Sequence, residues 1–157
     1  GGVASWRAGS LTRLPIRESR RLDLSVPGRE PRGALQVTMD WAGRELRVAA
    51  THLGLAPRER RTQVRSILAE FAAEPTGVEV LMGDLNEWFL WGRPLRWLRR
   101  RFAPSPAVRS YPARHPLFAL DRIWVRPGAA LLTIERHETT LARVASDHLP
   151  VKAVIEG

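Results

Sequence analysis

The 157-residue sequence contains no cysteine, so it can form neither a disulfide nor a thiolate metal site. It has no apolar stretch of transmembrane length, and its first residues do not read as a signal peptide. We therefore expect a cytoplasmic protein, with any N-terminal targeting region outside this chain. Acidic residues are outnumbered 25 to 16 by basic ones, giving a net charge of +9.

Lysine is also nearly absent, since Lys152 is the only one among the 25 basic residues. Arginine pairs with phosphate through two hydrogen bonds, so this composition suits a phosphorylated or nucleic-acid substrate. A GC-rich coding sequence produces the same bias and is the preferred explanation, because net charge says little about fold or partner.

Apolar periodicity predicts an α/β domain. Alternating residues predict strands at 34–41 and 45–51, joined by a hairpin turn. Apolar residues with helical spacing predict a helix over residues 58–73: Val64, Ile67, Leu68 and Phe71. Its charged residues are expected mainly on the solvated side: Glu59, Arg60, Arg61 and Arg65. Further strands are predicted at 78–82, 117–125, 131–137 and 151–155, and residues 11–16 as a strand end or edge segment.

Residues 94–102 form a second, strongly basic helix pattern, with tryptophans in and before it. Arginines interleaved with tryptophans suit the backbone and bases of a nucleic acid. An amphipathic helix with a solvated charged face explains the same residues and is the preferred interpretation.

Polar side chains stand at the ends of the predicted strands. Asp84 and Asn86 belong to the segment 83–87, which directly follows the mostly apolar run 78–82. Since side chains alternate along an extended chain, these two are expected to face one spot, where they suit a hard cation or a phosphate oxygen. A simple turn is the alternative, because Gly, Asp and Asn are common turn residues. His52, Asp121 and the pair Asp147-His148 occupy three other strand ends, the places where layered α/β proteins build sites.

Four segments, in this order, resemble the endonuclease/exonuclease/phosphatase family of metal-dependent phosphodiesterases and phosphatases: residues 51–53, 83–88, 119–123 and 146–150. The resemblance extends from about residue 11 to the end. It implies a partial α/β sandwich of two packed mixed or antiparallel sheets flanked by helices. The N-terminal strands of the family fold are expected to be missing from this single domain of residues 1–157.

The resemblance also implies the catalytic residues: His52, Asp84, Asn86, Asp121 and His148. Asp84 would orient and deprotonate the attacking water, Asn86 would hold the nucleophile or a phosphate oxygen, and both histidines would stabilise the phosphoryl group. Asp121 would fix the ring of His148, although a surface ion pair with Arg122 is the alternative for this carboxylate. Asp147, with Asp84, would bind Mg²⁺ or Mn²⁺. Glu87 is expected at the surface or behind the site.

Members of the family carry an Asn and a metal-binding Glu on earlier strands, and this chain starts too late to contain either. We therefore expect the C-terminal part of a phosphoester hydrolase that binds metal weakly and is weak or inactive alone. Its substrate would be a phosphoester, with nucleic acid among the candidates, and the incomplete sheet would favour a homodimer. The alternative is a non-catalytic module that binds nucleic acid or a protein partner.

Overall fold

The computed structural model describes residues 11–156, so residues 1–10 and 157 of the predicted domain lie outside the description. The strands of this range are β1 Ile16–Asp23, β2 Gly33–Trp41, β3 Arg44–His52, β4 Val78–Asp84, β5 Asp121–Arg126, β6 Leu131–Arg136 and β7 Val151–Ile155. The helices are α1 Pro57–Glu70, α2 Arg93–Arg101 and α3 Thr140–Ala145, with a short 3-10 turn at Gly128–Ala130.

Two sheets make up the β structure. The larger has the order β1-β2-β3-β4-β5, in which only β3 and β4 run parallel among the described strands. Because parallel neighbours need a crossover, α1 connects β3 to β4. The smaller sheet is the antiparallel pair β6-β7. The predicted fold class, an α/β sandwich of two packed mixed or antiparallel sheets flanked by helices, is confirmed.

The larger sheet has a core on each face. Side chains of β4 alternate, so that Val78 and Val80 face the β6-β7 sheet while Leu81 faces the helices. On the helical side, α1 contributes Val64 and Ile67, and Phe71 follows at its C-terminal cap. The helix prediction is correct for Val64, Ile67 and Leu68, but the helix ends at Glu70, before the predicted end at residue 73. The larger sheet is therefore packed between the helices on one face and the β6-β7 sheet on the other.

The first turn of α1 is more buried than its sequence predicts. Glu59 and Arg60, expected on the solvated side, are only 6% and 3% exposed. Arg60 Nε lies 3.4 Å from Glu87 Oε2, and its guanidinium also donates to the carbonyl groups of Gly54 and Leu55. A charged side chain can be buried when it is paired and hydrogen-bonded, and apolar periodicity does not detect this. Of the two positions expected for Glu87, the surface one is excluded, since this residue is buried where it pairs with Arg60.

The first strand was not predicted. Residues 11–15, predicted as part of a strand end or edge segment, are irregular, and β1 begins at Ile16. Nearly every side chain of β1 is exposed, because it is the edge strand and lies outside the two cores. An exposed edge strand has no buried face to impose an apolar alternation.

Within residues 11–156, no helix is both long and apolar enough to cross a bilayer.

Candidate active site

Three neighbouring strands bring three of the predicted residues into one row. His52 is aligned with Asp84 across the parallel β3-β4 pair, and Asp84 with Asp121 across the antiparallel β4-β5 pair. Strands β3 and β4 end at this edge while β5 begins there. Positions 52, 84 and 121, far apart in sequence, are therefore adjacent because of the strand register.

Gly83 allows this close approach. A Cβ built on Gly83 would lie 1.8 Å from the carbonyl oxygen of Thr51, and the glycine has φ of +139°. Both the space and the backbone conformation exclude a larger residue without rearrangement. The glycine before Asp84 thus serves the packing of β4 against β3.

The prediction that Asn86 projects beside Asp84 from an extended strand is wrong. Strand β4 ends at Asp84, and Asn86 has φ of +49°. The backbone N–H of Asn86 instead donates to Asp84 Oδ1 at 2.8 Å, which is the turn geometry considered as the alternative. Its side-chain Nδ2 donates to the carbonyl oxygen of Leu53 at 2.8 Å. Asn86 is buried and ties the end of β4 to the residue that follows β3.

The Asp84 carboxylate lies between two imidazoles. Its Oδ2 is 3.4 Å from His52 Nε2 and 3.9 Å from His148 Nε2. The other ring nitrogen of His148, Nδ1, lies 2.7 Å from Asp121 Oδ2. This is the predicted Asp121–His148 pair, and in the described part of the chain no ion pair joins Asp121 to Arg122. The five predicted catalytic residues lie in one cluster, and the role of each stays a prediction.

Ser110 and Tyr111 belong to the same cluster and were not predicted. Ser110 is fully buried and its hydroxyl donates to Asp121 Oδ2 at 2.5 Å. The Tyr111 ring centroid lies 4.7 Å from that of His148. Both residues come from a proline-rich loop without a recognisable motif. Backbone hydrogen bonds place the loop, since Ser110 N–H donates to Phe118 and Ser110 carbonyl accepts from Leu149.

The electrostatics of the cluster shift two pKa values. Burial, reinforced by the charge of Asp121, raises the pKa of Asp84 against the opposing effects of the Asn86 N–H and the two histidines. Burial acts to lower the pKa of His148, but the hydrogen bond and charge of Asp121, with the charges of Asp84 and Asp147, outweigh it and raise that pKa. Asp84 is thereby a better proton acceptor near neutral pH, and His148 keeps its positive charge to higher pH.

Asp147 stands apart from these contacts. It is exposed, and its carboxylate lies 3.4 Å from the Ser146 hydroxyl. The carboxylates of Asp84 and Asp147 are donors that a hard cation prefers. Across residues 11–156, however, no three His, Cys, Asp or Glu side chains are grouped so as to hold a metal ion. The described residues therefore fall short of a complete metal site.

Comparisons with known proteins identify the family of the chain. The sequence profile of the Endonuclease/Exonuclease/phosphatase family matches residues 10–148. The chain is 35% identical over 161 residues to the uncharacterized protein YbhP of Escherichia coli strain K12, a match that covers 92% of this chain and 60% of that protein. The chain thus spans less than two thirds of the length of this relative.

Two solved structures share the fold. A functionally unknown conserved protein from Enterococcus faecalis V583 superposes with a TM-score of 0.77 at 19% identity, covering 92% of this chain and 67% of that one. A mannosyl-6-phosphatase from Bacteroides thetaiotaomicron VPI-5482 superposes with a TM-score of 0.68 at 16% identity, covering 92% and 66%. At these identities the superpositions show a shared fold and nothing more. The family profile matches most of the sequence and therefore shows the family. The chain belongs to the endonuclease/exonuclease/phosphatase family.

Proposed function

We propose that the protein hydrolyses a phosphoester by in-line attack of a water molecule at the Asp84 cluster. The observation that carries this proposal is the position of the Asp84 carboxylate between His52 and His148, with Asp121 behind His148. A proton acceptor flanked by two groups able to carry positive charge suits a reaction in which negative charge develops on phosphoryl oxygens. Family membership and the fold shared with a phosphatase support it.

Asp84 accepts the proton of the attacking water in this mechanism. Its raised pKa brings it nearer to working pH, which improves a general base. Asn86 orients that carboxylate through its backbone N–H. Because the Asn86 side-chain nitrogen is engaged by Leu53, we assign Asn86 a positioning role in place of direct contact with the nucleophile.

His148 stabilises the charge that develops on the phosphoryl oxygens. Its Nδ1–H donates to Asp121, which fixes the ring so that Nε2 faces Asp84 and the substrate position. With its pKa raised, the ring keeps its proton to higher pH, and the protonated ring can donate from Nε2. His52, whose side chain is 48% exposed, offers a second donor from the other side of Asp84.

Replacing the central residues tests this mechanism. In the full-length protein, Asp84→Asn and His148→Gln should each lower kcat by about 10²–10⁴-fold, the usual contribution of a positioned acid or base. Turnover of p-nitrophenyl phosphate and bis(p-nitrophenyl) phosphate, a monoester and a diester, provides the readout. The matched controls are Asp23→Asn and His137→Gln, at exposed positions outside the cluster.

Circular dichroism should show that all four variants keep the wild-type fold. Undiminished turnover by Asp84→Asn would refute the proposed role of this carboxylate. A wild-type protein that turns over neither ester, nor phosphodiesters in DNA, RNA or lipid, would instead favour the alternative of a binding module.

Dependence on Mg²⁺ or Mn²⁺ is a separate proposal. A divalent cation would neutralise charge on the bound phosphate, and the carboxylates of Asp84 and Asp147 offer it oxygen ligands. No three His, Cys, Asp or Glu side chains of the described residues are grouped to hold a metal ion. Isothermal titration of this 157-residue chain should therefore detect only weak Mg²⁺ binding. Turnover by the full-length protein should stop with EDTA and return with excess Mg²⁺. Activity that survives EDTA would contradict the proposal.

A further inference from the structure

One stretch of the chain carries a strong local charge. Residues 88–120 contain no Asp or Glu and seven arginines: Arg93, Arg96, Arg99, Arg100, Arg101, Arg109 and Arg114. Four of them are exposed on α2 or at its start: Arg93, Arg96, Arg99 and Arg100. The catalytic mechanism uses none of these residues.

The same stretch exposes large apolar side chains on two loops, which together we call the aromatic surface: Trp88, Phe89, Leu90, Trp91, Leu117 and Phe118. Trp91 is 71% exposed and Leu117 is 61% exposed. The Trp88 ring joins the two loops, because it makes an edge contact with Phe118 at 4.8 Å between centroids. The six residues therefore form one surface in place of scattered exposed side chains.

The aromatic surface adjoins both the active site and the arginines. Trp88 contacts Tyr111 at 5.8 Å between centroids, and Tyr111 in turn contacts His148. On the other side, Arg99 donates to the carbonyl oxygen of Leu90 at 2.8 Å, which ties α2 to the first loop. A chain of direct contacts therefore connects the arginines of α2, the aromatic surface and the Asp84 cluster.

We propose that the aromatic surface and the arginines of α2 dock the protein onto an anionic lipid bilayer. Exposed Trp, Phe and Leu side chains gain free energy by entering the headgroup and acyl boundary, and adjacent arginines are attracted to anionic lipids. Contiguous exposed apolar patches of this kind are uncommon without a partner. Charge complementarity selects an anionic membrane over a neutral one.

A single-stranded nucleic acid is the competing partner, and the ring geometry disfavours it. Base stacking requires aromatic faces that are open to the ligand. Phe89 and Trp91 lie against each other, with centroids 5.4 Å apart and an interplanar angle of 39°. Trp88 is engaged by two other rings, and Leu90 and Leu117 have no aromatic face. Rings that pack against one another, together with two exposed leucines, fit a lipid interface better than a row of bases.

Docking requires no step of the proposed hydrolysis. If that hydrolysis also holds, docking presents the Asp84 cluster to phosphoesters at the bilayer surface, and the substrate class becomes a phospholipid headgroup. This consequence rests on the proposed function, whereas membrane binding can be measured without turnover.

Vesicle sedimentation tests the proposal. The full-length protein should sediment with vesicles of phosphatidylcholine mixed with phosphatidylglycerol far more than with phosphatidylcholine alone, and added salt should weaken the binding. The double variants Phe89→Ala/Trp91→Ala and Arg96→Glu/Arg100→Glu should each lower the partition coefficient by at least about tenfold. The first removes two rings that enter the membrane interface, and the second reverses two charges that are attracted to anionic lipid.

Matched controls use exposed residues elsewhere. Leu132→Ala/Val154→Ala removes exposed aliphatic side chains from the β6-β7 sheet, and Arg44→Glu reverses a charge at the β2-β3 turn. These variants, and Asp84→Asn, should bind vesicles as the wild type does. Equal binding to neutral and anionic vesicles, or equal losses in the controls, would overturn the proposal. So would tight binding of a fluorescent single-stranded oligonucleotide without vesicle binding.

Discussion

At the scale of single residues, the surroundings of His148 favour its protonated form. Its ring is held by Asp121 on one side and faces Asp84 on the other, so two carboxylates stabilise its cationic form. The Ser110 hydroxyl donates to the same Asp121 oxygen and keeps that carboxylate in place. Side chains from two loops, Ser110 and His148, therefore meet on one carboxylate at the start of β5.

The pKa of His148 should therefore lie above that of an exposed histidine when it is measured by NMR titration of the metal-free protein. Asp121→Asn should lower it, because the variant removes the hydrogen-bonded negative charge. A raised folded-state pKa means that the charged ring stabilises the fold below the unfolded-state pKa, and that this stability is lost as pH rises through the folded-state value.

Urea unfolding of wild type and Asp121→Asn across this pH range measures that loss, and Asp23→Asn is the control for removing a carboxylate elsewhere. A His148 pKa unchanged by Asp121→Asn would contradict the assigned pairing.

The residues of the cluster differ in how far the sequence could indicate them. His52, Asp84 and Asp121 stand at strand ends in recognisable segments, and their convergence follows from strand order and register. His148 also stands in a recognisable segment, which lies before β7 of the other sheet. Ser110 and Tyr111 lie in a proline-rich loop whose path is set by tertiary hydrogen bonds to Phe118 and Leu149. Those partners are not encoded in any local pattern, and the two residues were therefore missed.

At the scale of secondary-structure elements, α1 is fixed to the site by its first turn. Arg60 links the carbonyl groups of Gly54 and Leu55, which follow His52, to Glu87, which follows Asn86. A single guanidinium thus braces the two loops that leave β3 and β4. Because Arg60 and Glu87 are both buried, each would be a costly isolated charge without the other.

Arg60→Ala should lower the free energy of unfolding by about 3–5 kcal/mol, because it leaves Glu87 buried without its partner. The double variant Arg60→Met/Glu87→Leu should recover most of that loss, since it removes both charges and keeps apolar volume. Urea denaturation monitored by fluorescence measures all three proteins. Arg58→Ala, at an exposed position of the same helix, is the control and should change stability by less than about 0.5 kcal/mol.

An Arg60→Ala variant that loses no more stability than Arg58→Ala would show that the buried pair does not brace the fold.

Elements with a buried face were predictable, and elements without one were not. The strands β2, β3, β4 and β7 and the helices α1 and α2 all lie close to their predicted ranges, because each packs one face into a core. The edge strand β1 is exposed nearly throughout, and the six-residue α3 buries only Ala142. Apolar periodicity arises from a buried face, so it does not predict elements that bury few side chains.

At the scale of the whole molecule, an apolar groove lies between the two sheets. It has a volume of about 400 Å³. Its walls include Met39, Leu46, Val48, Val80, Met82 and Ile123 from the larger sheet and Val151, Ala153 and Ile155 from the smaller one. Leu11 and Leu14, before β1, also line it. Open apolar surface between sheets favours association with another apolar surface.

We expect this 157-residue chain to form homodimers through the groove at high protein concentration. Sedimentation equilibrium should show a mass that rises with concentration, because burial of the groove removes apolar surface from water. Leu14→Asp and Met82→Lys, which place a charge in the groove, should shift the chain towards monomer.

Val144→Asp charges an exposed apolar position on α3, outside the groove, and should leave the mass unchanged. Leu14 lies outside the regular elements, so its variant tests the groove even if Met82→Lys disturbs the sheet. A mass that stays monomeric at every concentration, or that falls equally with Val144→Asp, would exclude the groove as the dimer interface.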